Sequence, residues 1–462
     1  MNDNDDQTPF YLKKRYLIVF LVFLGYTNLY TMRVNLSVAI VALTENRTIT
    51  VNGTKTYEQQ FSWTSKEKGF ALGAFFYGYI LTQIPGGILA AKIGGHLVFG
   101  FGIFATAIMG LLTPILCYQG ITYLIAARVL QGIFSGLSFP SVNAIYAKWS
   151  PPLERSRTAS YGISGIYVGT VIANLLSGWL GDTFGWESIF YVFGFATIIW
   201  NVVWFAVVRE SPEKDPWITT SEKRFIKESL KNQKGQRNII KPPWKAIFTS
   251  GPLYVIAVAH FSYTYGYYTL LTQLPMYMRD ILGLDLTKSG IVSGVPYILQ
   301  TVLIFISGYF ADWLLMKKYF TLTQVRKYFN NSALFFQMVF LLISAFVTNT
   351  TTIIVCISFS VGLGSLAMSG YLPNTIDIAP QFGSILLGIT NTFATVSGLI
   401  SPPLSGYIAV TPTAAEYQII FFITCGVYIL GIIVYGIFAT AEVQPWAVVD
   451  AEDNENMNEL KK

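Results

Sequence analysis

Apolar runs about as long as a membrane crossing alternate with short polar stretches along this chain. A spanning helix needs roughly 20 mostly apolar residues. Such runs lie at about 16–43, 67–91, 97–118, 121–147, 158–181 and 188–208. After a longer polar stretch they recur at about 252–280, 289–315, 332–348, 352–376, 382–409 and 417–440. The pattern predicts an all-α polytopic membrane protein with twelve transmembrane helices in two six-helix halves. The expected segments are a cytoplasmic N-terminus (1–15), an N-terminal half (16–208), a linker (209–249), a C-terminal half (250–440) and a cytoplasmic tail (441–462).

The polar stretches fix an orientation. With a cytoplasmic N-terminus, one side receives Lys13, Lys14, Arg15, Lys148, Arg155, Arg157, Lys317, Lys318, Arg326, Lys327 and the basic stretch 209–249. The other side keeps few cations, among them Arg47, Lys55, Arg279 and Lys288. Positive charge collects on the cytoplasmic side of membrane proteins. The sequons at Asn46, Asn52 and Asn349 then fall outside, which makes Asn46 and Asn52 candidate glycosylation sites. Within the linker, Thr219 followed by Glu222 reads as a capping box ahead of a short amphipathic helix carrying Phe225, Ile226 and Leu230. The first apolar run is too long for a signal sequence and reads as a span entered from the cytoplasm.

Composition agrees with this picture and narrows the function. Of 462 residues, 53% are hydrophobic and only 12% charged, about half the share in soluble domains. The formal charge of +6 is spread between the apolar runs, so it reports orientation rather than nucleic-acid binding. Cys117, Cys356 and Cys425 lie in or beside apolar runs without a CxxC spacing, and only His96 and His260 are histidines. No metal site, cofactor, acid pair or nucleophile–base set is expected, so the chain reads as a mover of solutes and not an enzyme.

A charge inside a span is the sharpest functional signal. Arg33 lies mid-span, where a cation costs about 2.5–3.5 kcal/mol on insertion scales. Tyr26, Tyr30, Arg33 and Ser37 share one helix face, offering a cation and three hydroxyls to a carboxylate or phosphate. The alternative is an arginine tied to backbone carbonyls that holds the bundle. Arg128 is a second intramembrane cation, with Gln131 and Ser135 on its face. It reads either as an outer anion site or as a gate element bound to backbone and water. Tyr77, Tyr268 and Asn391 are further cavity candidates, with bundle packing as the alternative. Glu154 and Asp377 lie at mirrored positions after the fourth span and at the end of the tenth, and are read as structural gate residues. His260 reads as a core histidine bonded to a neighbour. Pro85-Gly86-Gly87, Gly132 with Gly136, and Gly362 with Gly364 are placed for close helix approach.

The halves echo each other. Gly78-Tyr79-Ile80-Leu81 with Gly87 to Lys92 parallels Pro296-Tyr297-Ile298-Leu299 with Gly308 to Trp313. These segments resemble the loop between spans two and three of the major facilitator superfamily. That resemblance implies a fastening role for Asp312, whereas Ala91 replaces the acid in the first copy. Four further stretches narrow it: Tyr30 to Ala39, Gly78 to Gly87, Trp149 to Arg157, and Asp377 to Pro380 with Gly388 to Phe393. Together they resemble the anion and phosphate cotransporters, the family of sialin, the vesicular glutamate transporters and sodium-dependent phosphate cotransporters.

The resemblance implies alternating access between two pseudo-symmetric halves, a substrate arginine at Arg33, and coupling to a cation, Na+ or H+. It also exposes departures. Gln131 and Ser135 stand where vesicular and lysosomal members carry glutamates. Leu72 stands in place of a histidine, Tyr263 in place of a second substrate arginine, and Thr375 in place of a histidine. The expected function is a cation-coupled symporter of small anions such as phosphate, sialic-acid-like or acidic amino-acid substrates. With the acids gone, sodium is favoured over the proton. An uncoupled facilitator or channel and a transport-inactive sensor are the alternatives. The expected partners are the anion, the coupling cation and the bilayer, in a plasma or endolysosomal membrane.

Overall fold

The computed structural model describes residues 13–44, 46–51, 54–151, 154–234 and 242–447. Asn52, most of the N-terminal segment, residues 235–241 of the linker and the end of the tail lie outside the described residues. Helices dominate. In the N-terminal half they are α1 (Lys14–Leu43), α2 (Ser65–Ile93), α3 (Gly95–Gln119), α4 (Ile121–Ser135), α5 (Ser138–Trp149), α6 (Arg155–Ile163), α7 (Gly165–Phe184) and α8 (Trp186–Val207). The linker holds α9 (Thr220–Lys234) and α10 (Trp244–Phe248). The rest are α11 (Gly251–Asp280), α12 (Leu286–Met316), α13 (Leu322–Phe346), α14 (Thr350–Leu363), α15 (Ala367–Ile378), α16 (Gly383–Ile408) and α17 (Ala414–Phe438).

Among the described residues, 11 spans are long and apolar enough to cross a membrane. The expected seventh span, α11, is not one of them, although its 30 residues reach about 45 Å. Six tyrosines, His260 and several hydroxyl side chains dilute its apolar character. Three expected single spans are pairs of helices: the fourth breaks after Ser135, the fifth at Ser164 and the tenth at a 3-10 turn over Gly364–Leu366. The ninth begins ten residues before the apolar run, because Thr321 and Gln324 form a capping box that starts α13 among polar residues. The loop after α1 contains an antiparallel hairpin, Asn46–Val51 with Thr54–Gln59, that the apolar pattern did not suggest. Asn46 opens its first strand.

Backbone contacts group the chain into two compact units. One comprises Met1–Asn238, Tyr268–Thr301 and Gly398–Ile420, the other Ile239–Tyr267, Val302–Ser397 and Phe421–Lys462.

In the first unit, glycines let backbones meet. A Cβ on Gly132 would overlap the carbonyl of Phe75, and one on Gly78 would overlap the carbonyl of Val129. Thr82 Oγ1 donates to the Ile133 carbonyl at 2.7 Å along the same seam. The α2–α4 contact is therefore backbone on backbone, as small residues permit in lipid. Gly165 and Gly169 do the same for α7 against the Phe23 and Thr27 carbonyls of α1.

The linker helix is part of this unit. Thr219 Oγ1 accepts from the Glu222 amide at 3.3 Å, as the expected capping box requires. The Glu222 carboxylate does not close that box. It accepts from the backbone amides of Lys14 at 2.8 Å and Arg15 at 3.1 Å, capping α1 instead of its own helix. Arg15 also pairs with Glu154 at 2.9 Å and with Glu222 at 3.2 Å, and Lys14 pairs with Asp215 at 3.1 Å. Next to this network, Lys148 and then Lys214 bond the Glu210 carboxylate and hold its pKa down at about 2.

Glu222 is buried, and removing it leaves the Lys14 and Arg15 amides uncapped while Arg15 keeps Glu154 as its partner. Glu222→Ala is expected to destabilise the protein by about 1–3 kcal/mol, and Glu222→Gln, which keeps an acceptor, by less. Thermal unfolding of the purified protein measures both. Unchanged melting in Glu222→Ala would mean that the linker helix does not brace α1.

In the second unit, α13 packs against α14 and α15. Arg326 pairs with Asp377 at 2.7 Å and donates to the Ser369 carbonyl at 3.0 Å. Asp377 and Glu154 thus each hold an arginine of their own unit. Asp312 is exposed and makes no hydrogen bond or ion pair among the described residues, so the fastening that the resemblance implied is not made here.

Candidate substrate site

Arg33 projects from the middle of α1 into a small cavity of the first unit, shared with Leu72, Phe75 and Phe76 of α2, Arg128 of α4 and Thr272 of α11. Its guanidinium is ringed by aromatic faces: Phe76 at 4.6 Å, Phe75 at 4.7 Å, Tyr268 at 5.0 Å, Tyr30 at 5.2 Å and Tyr79 at 5.3 Å. Each such contact is worth about 0.5–2 kcal/mol. Together they are of the size needed to offset the cost of a cation in the membrane. Arg33 Nη1 donates to Tyr30 Oη at 3.3 Å, while Nε and Nη2 are buried with no hydrogen-bond partner. No carboxylate pairs with Arg33 among the described residues. The charge is sustained by ring faces, and two donors of a planar fork are left for an incoming anion.

Arg128 has a different role. Its Nη1 donates to the Met32 carbonyl at 3.2 Å and to Gln131 Oε1 at 2.8 Å, and its Nη2 donates to the Arg33 carbonyl at 2.8 Å. Of the two readings open from the sequence, these bonds match the backbone tie. Arg128 clamps α4 to α1 at the level of Arg33 and adds positive potential to the same cavity. Its Nε alone is without a partner.

The other expected residues divide. Tyr30 and Tyr268 reach Arg33, and Tyr268 also packs edge-on against Phe76 at 4.5 Å. Ser37 lines the cavity but donates to the Val34 carbonyl at 2.6 Å. Tyr26 does not line the cavity: its ring packs on Phe139 at 5.0 Å and Phe99 at 5.7 Å. It shares the helix face of Arg33 but lies seven residues away, about 10 Å along the axis. Tyr77 is 43% exposed and off the stripe 72, 75, 76 and 79 that α2 turns towards Arg33. Asn391 belongs to the second unit, where its carbonyl accepts from Thr395. His260, also in that unit, meets Thr390 Oγ1 at 3.3 Å and packs on Tyr371 at 4.6 Å, as the core reading required.

The sequence marks neither Phe75 nor Phe76, and it shows Tyr79 only as one of the second span's tyrosines. Their shared signal is the i, i+3, i+4, i+7 spacing from Leu72, the position at which the resemblance places a histidine.

A charged cavity walled by long helices suits a solute carrier. Residues 16–384 match the Major Facilitator Superfamily profile, and the chain belongs to that superfamily, in its anion and phosphate cotransporter branch. It is a multi-pass membrane transporter and not an enzyme. It is 38% identical to sialin of Ovis aries, over 98% of this chain and 94% of that protein. It is also 38% identical to vesicular glutamate transporter 1 of Xenopus tropicalis, over 97% of this chain and 79% of that protein. Two solved structures share the fold. One is a bacterial homologue of the lysosomal transporter Spinster, inward-facing and occupied, with TM-score 0.71, 13% identity, and 93% of this chain and 99% of that one covered. The other is a D-xylose–proton symporter, with TM-score 0.68, 14% identity, and 93% and 100% covered.

Proposed function

We propose that this protein is a cation-coupled symporter of small organic or inorganic anions, which binds the anion at Arg33. The observation that carries the reading is a buried guanidinium with two unpartnered donors, caged by rings and paired with no acid among the described residues. A carboxylate or phosphate oxygen completes such a site with charge-assisted hydrogen bonds. The glutamate transporter relatives make an acidic amino acid one member of the substrate class. Leu72, apolar and at the cavity wall, argues against a site built like theirs.

Sodium is the favoured coupling ion. The α4 face next to Arg33 carries Gln131 and Ser135, neither of which takes up a proton. Sodium needs only several oxygens, which hydroxyls, amides and unwound carbonyls supply.

Uptake of phosphate, glutamate and N-acetylneuraminate into proteoliposomes tests the reading, first with sodium replaced by choline and then with an imposed pH gradient at fixed sodium. Sodium-dependent accumulation of an anion is the expected result. Accumulation that ignores sodium and follows the pH gradient would transfer coupling to the proton. Equilibration without accumulation would make the protein a facilitator, and binding without flux a sensor.

A further inference from the structure

The cavity around Arg33 has room for about one water, less than a phosphate or any carboxylate-bearing solute fills. The arrangement seen is therefore a closed one, and an anion reaches Arg33 only after a wall withdraws. The walls come from both sequence halves. Arg33, Phe75, Phe76 and Arg128 lie on α1, α2 and α4, whereas Tyr268 and Thr272 lie on α11. All of them belong to the first unit.

Phe76 stands out among the rings. Its face is the nearest to the guanidinium, at 4.6 Å, and its ring meets Tyr268 edge-on at 4.5 Å. A glycine of α16 makes this position possible: a Cβ on Gly398 would overlap Cδ1 and Cε1 of the Phe76 ring. Gly398 is one end of a longer seam in the same unit. Gly73 of α2 lies against Pro403 of α16, where a Cβ would meet the proline ring at 2.8 Å, and a Cβ on Gly69 would crowd the Gly406 Cα at 3.0 Å. Residues 69, 73 and 76 share one face of α2. Phe76 thus belongs both to the stripe that faces Arg33 and to the face that packs on α16.

We propose that Phe76 is a lid over the Arg33 site, and that Gly398 is the positioning residue that seats it. The proposal rests on the reading of Arg33 as the anion site. The α2–α4 seam lies within one sequence half, whereas the α2–α16 seam joins the two. A carrier that opens its site by moving one half against the other parts the second seam and keeps the first. While α16 is packed on α2, the bare backbone of Gly398 and the edge of Tyr268 hold the Phe76 ring over the guanidinium. Once α16 and α11 draw away, the ring loses both supports and swings to another rotamer. The two unmet donors of Arg33 are then open to a carboxylate or phosphate oxygen. Until an anion arrives, the ring face shields a charge that is costly to leave bare inside the membrane.

Thiol labelling of the full chain in nanodiscs tests the lid. Ser37 lines the cavity, so Ser37→Cys is the reporter, with modification read at that position by mass spectrometry. Gly398→Ala displaces a ring and not backbone, so the chain is expected to fold. Its labelling should quicken by about tenfold or more, the size of a modest shift between two arrangements. Phe76→Leu, which removes the ring, should quicken labelling by itself. Adding Gly398→Ala to Phe76→Leu should then change little, because both act through the same ring. Gly388→Ala, at a position of α16 where a Cβ meets nothing within 4 Å, should leave the rate as it is. An unchanged rate in folded Gly398→Ala, an unchanged rate in Phe76→Leu, a full further gain when the two are combined, or an equal gain in Gly388→Ala would each overturn the proposal. Labelling needs no anion, so the lid can fail while Arg33→Ala still abolishes uptake, and the anion reading can fail while the labelling pattern holds.

Discussion

Arg33→Ala is expected to abolish anion uptake while the chain still folds and reaches its membrane. The expectation follows from how Arg33 is held. A buried arginine paired with a carboxylate cannot be removed without stranding its partner, at a cost of about 3–5 kcal/mol. Arg33 has no such partner among the described residues: its neighbours are ring faces and the hydroxyls of Tyr30 and Tyr268. Truncation leaves a small void lined by rings and strands no charge. The anion, by contrast, loses the cation with two unmet donors. Truncating one side of a buried charged contact costs about 2–5 kcal/mol, so uptake should fall by about 100-fold or more. Arg33→Lys should recover little, because an ammonium keeps the charge without the planar fork. Uptake normalised to surface-labelled protein, with thermal unfolding of the same variants, separates function from folding. Wild-type flux through correctly inserted Arg33→Ala would remove this residue from the substrate site.

The second large effect is at the α2–α4 seam. A Cβ on Gly78 would overlap the Val129 carbonyl, and one on Gly132 the Phe75 carbonyl. The obstacle is backbone on both sides, so no rotamer change relieves it. Overpacking ordinarily costs about 1–3 kcal/mol, and a clash with backbone belongs at or above the top of that range. Gly78→Ala should therefore lower the melting temperature sharply and reduce the amount of protein in the membrane. It should also damage the site, since Phe75 and Tyr79 of the Arg33 cage flank this glycine on the same helix. Gly87→Ala, on the same helix, is the control. A Cβ there would meet Pro140 at an ordinary 3.5 Å, and replacing a mid-helix glycine by alanine gains about 0.5–1 kcal/mol. Equal melting of Gly78→Ala and Gly87→Ala would show that the seam yields.

The sequence by itself determined the class of fold and pointed to the one arginine most worth testing. Those properties are written locally. About twenty apolar residues make a span wherever they occur, and a lone cation inside one is costly in any bundle. The start of α9 at Thr219 is equally local, because an N-cap bonds only to its own first turn. What the tertiary structure decided is which groups meet across the chain. Arg128 reaches carbonyls 95 and 96 positions away, and Glu222 caps a helix that begins 208 positions earlier. Neither was legible, because an unmet carbonyl or amide looks alike at every position of a sequence. The same holds for the cage around Arg33. Five aromatic residues from α1, α2 and α11 converge on one guanidinium, whereas Tyr26 and Tyr77, as plausible by spacing, face elsewhere. Helix periodicity sets which residues share a face. Only the glycine contacts that bring α2 to α4, and the clamp from Arg128 to α1, decide which face meets which and at what height.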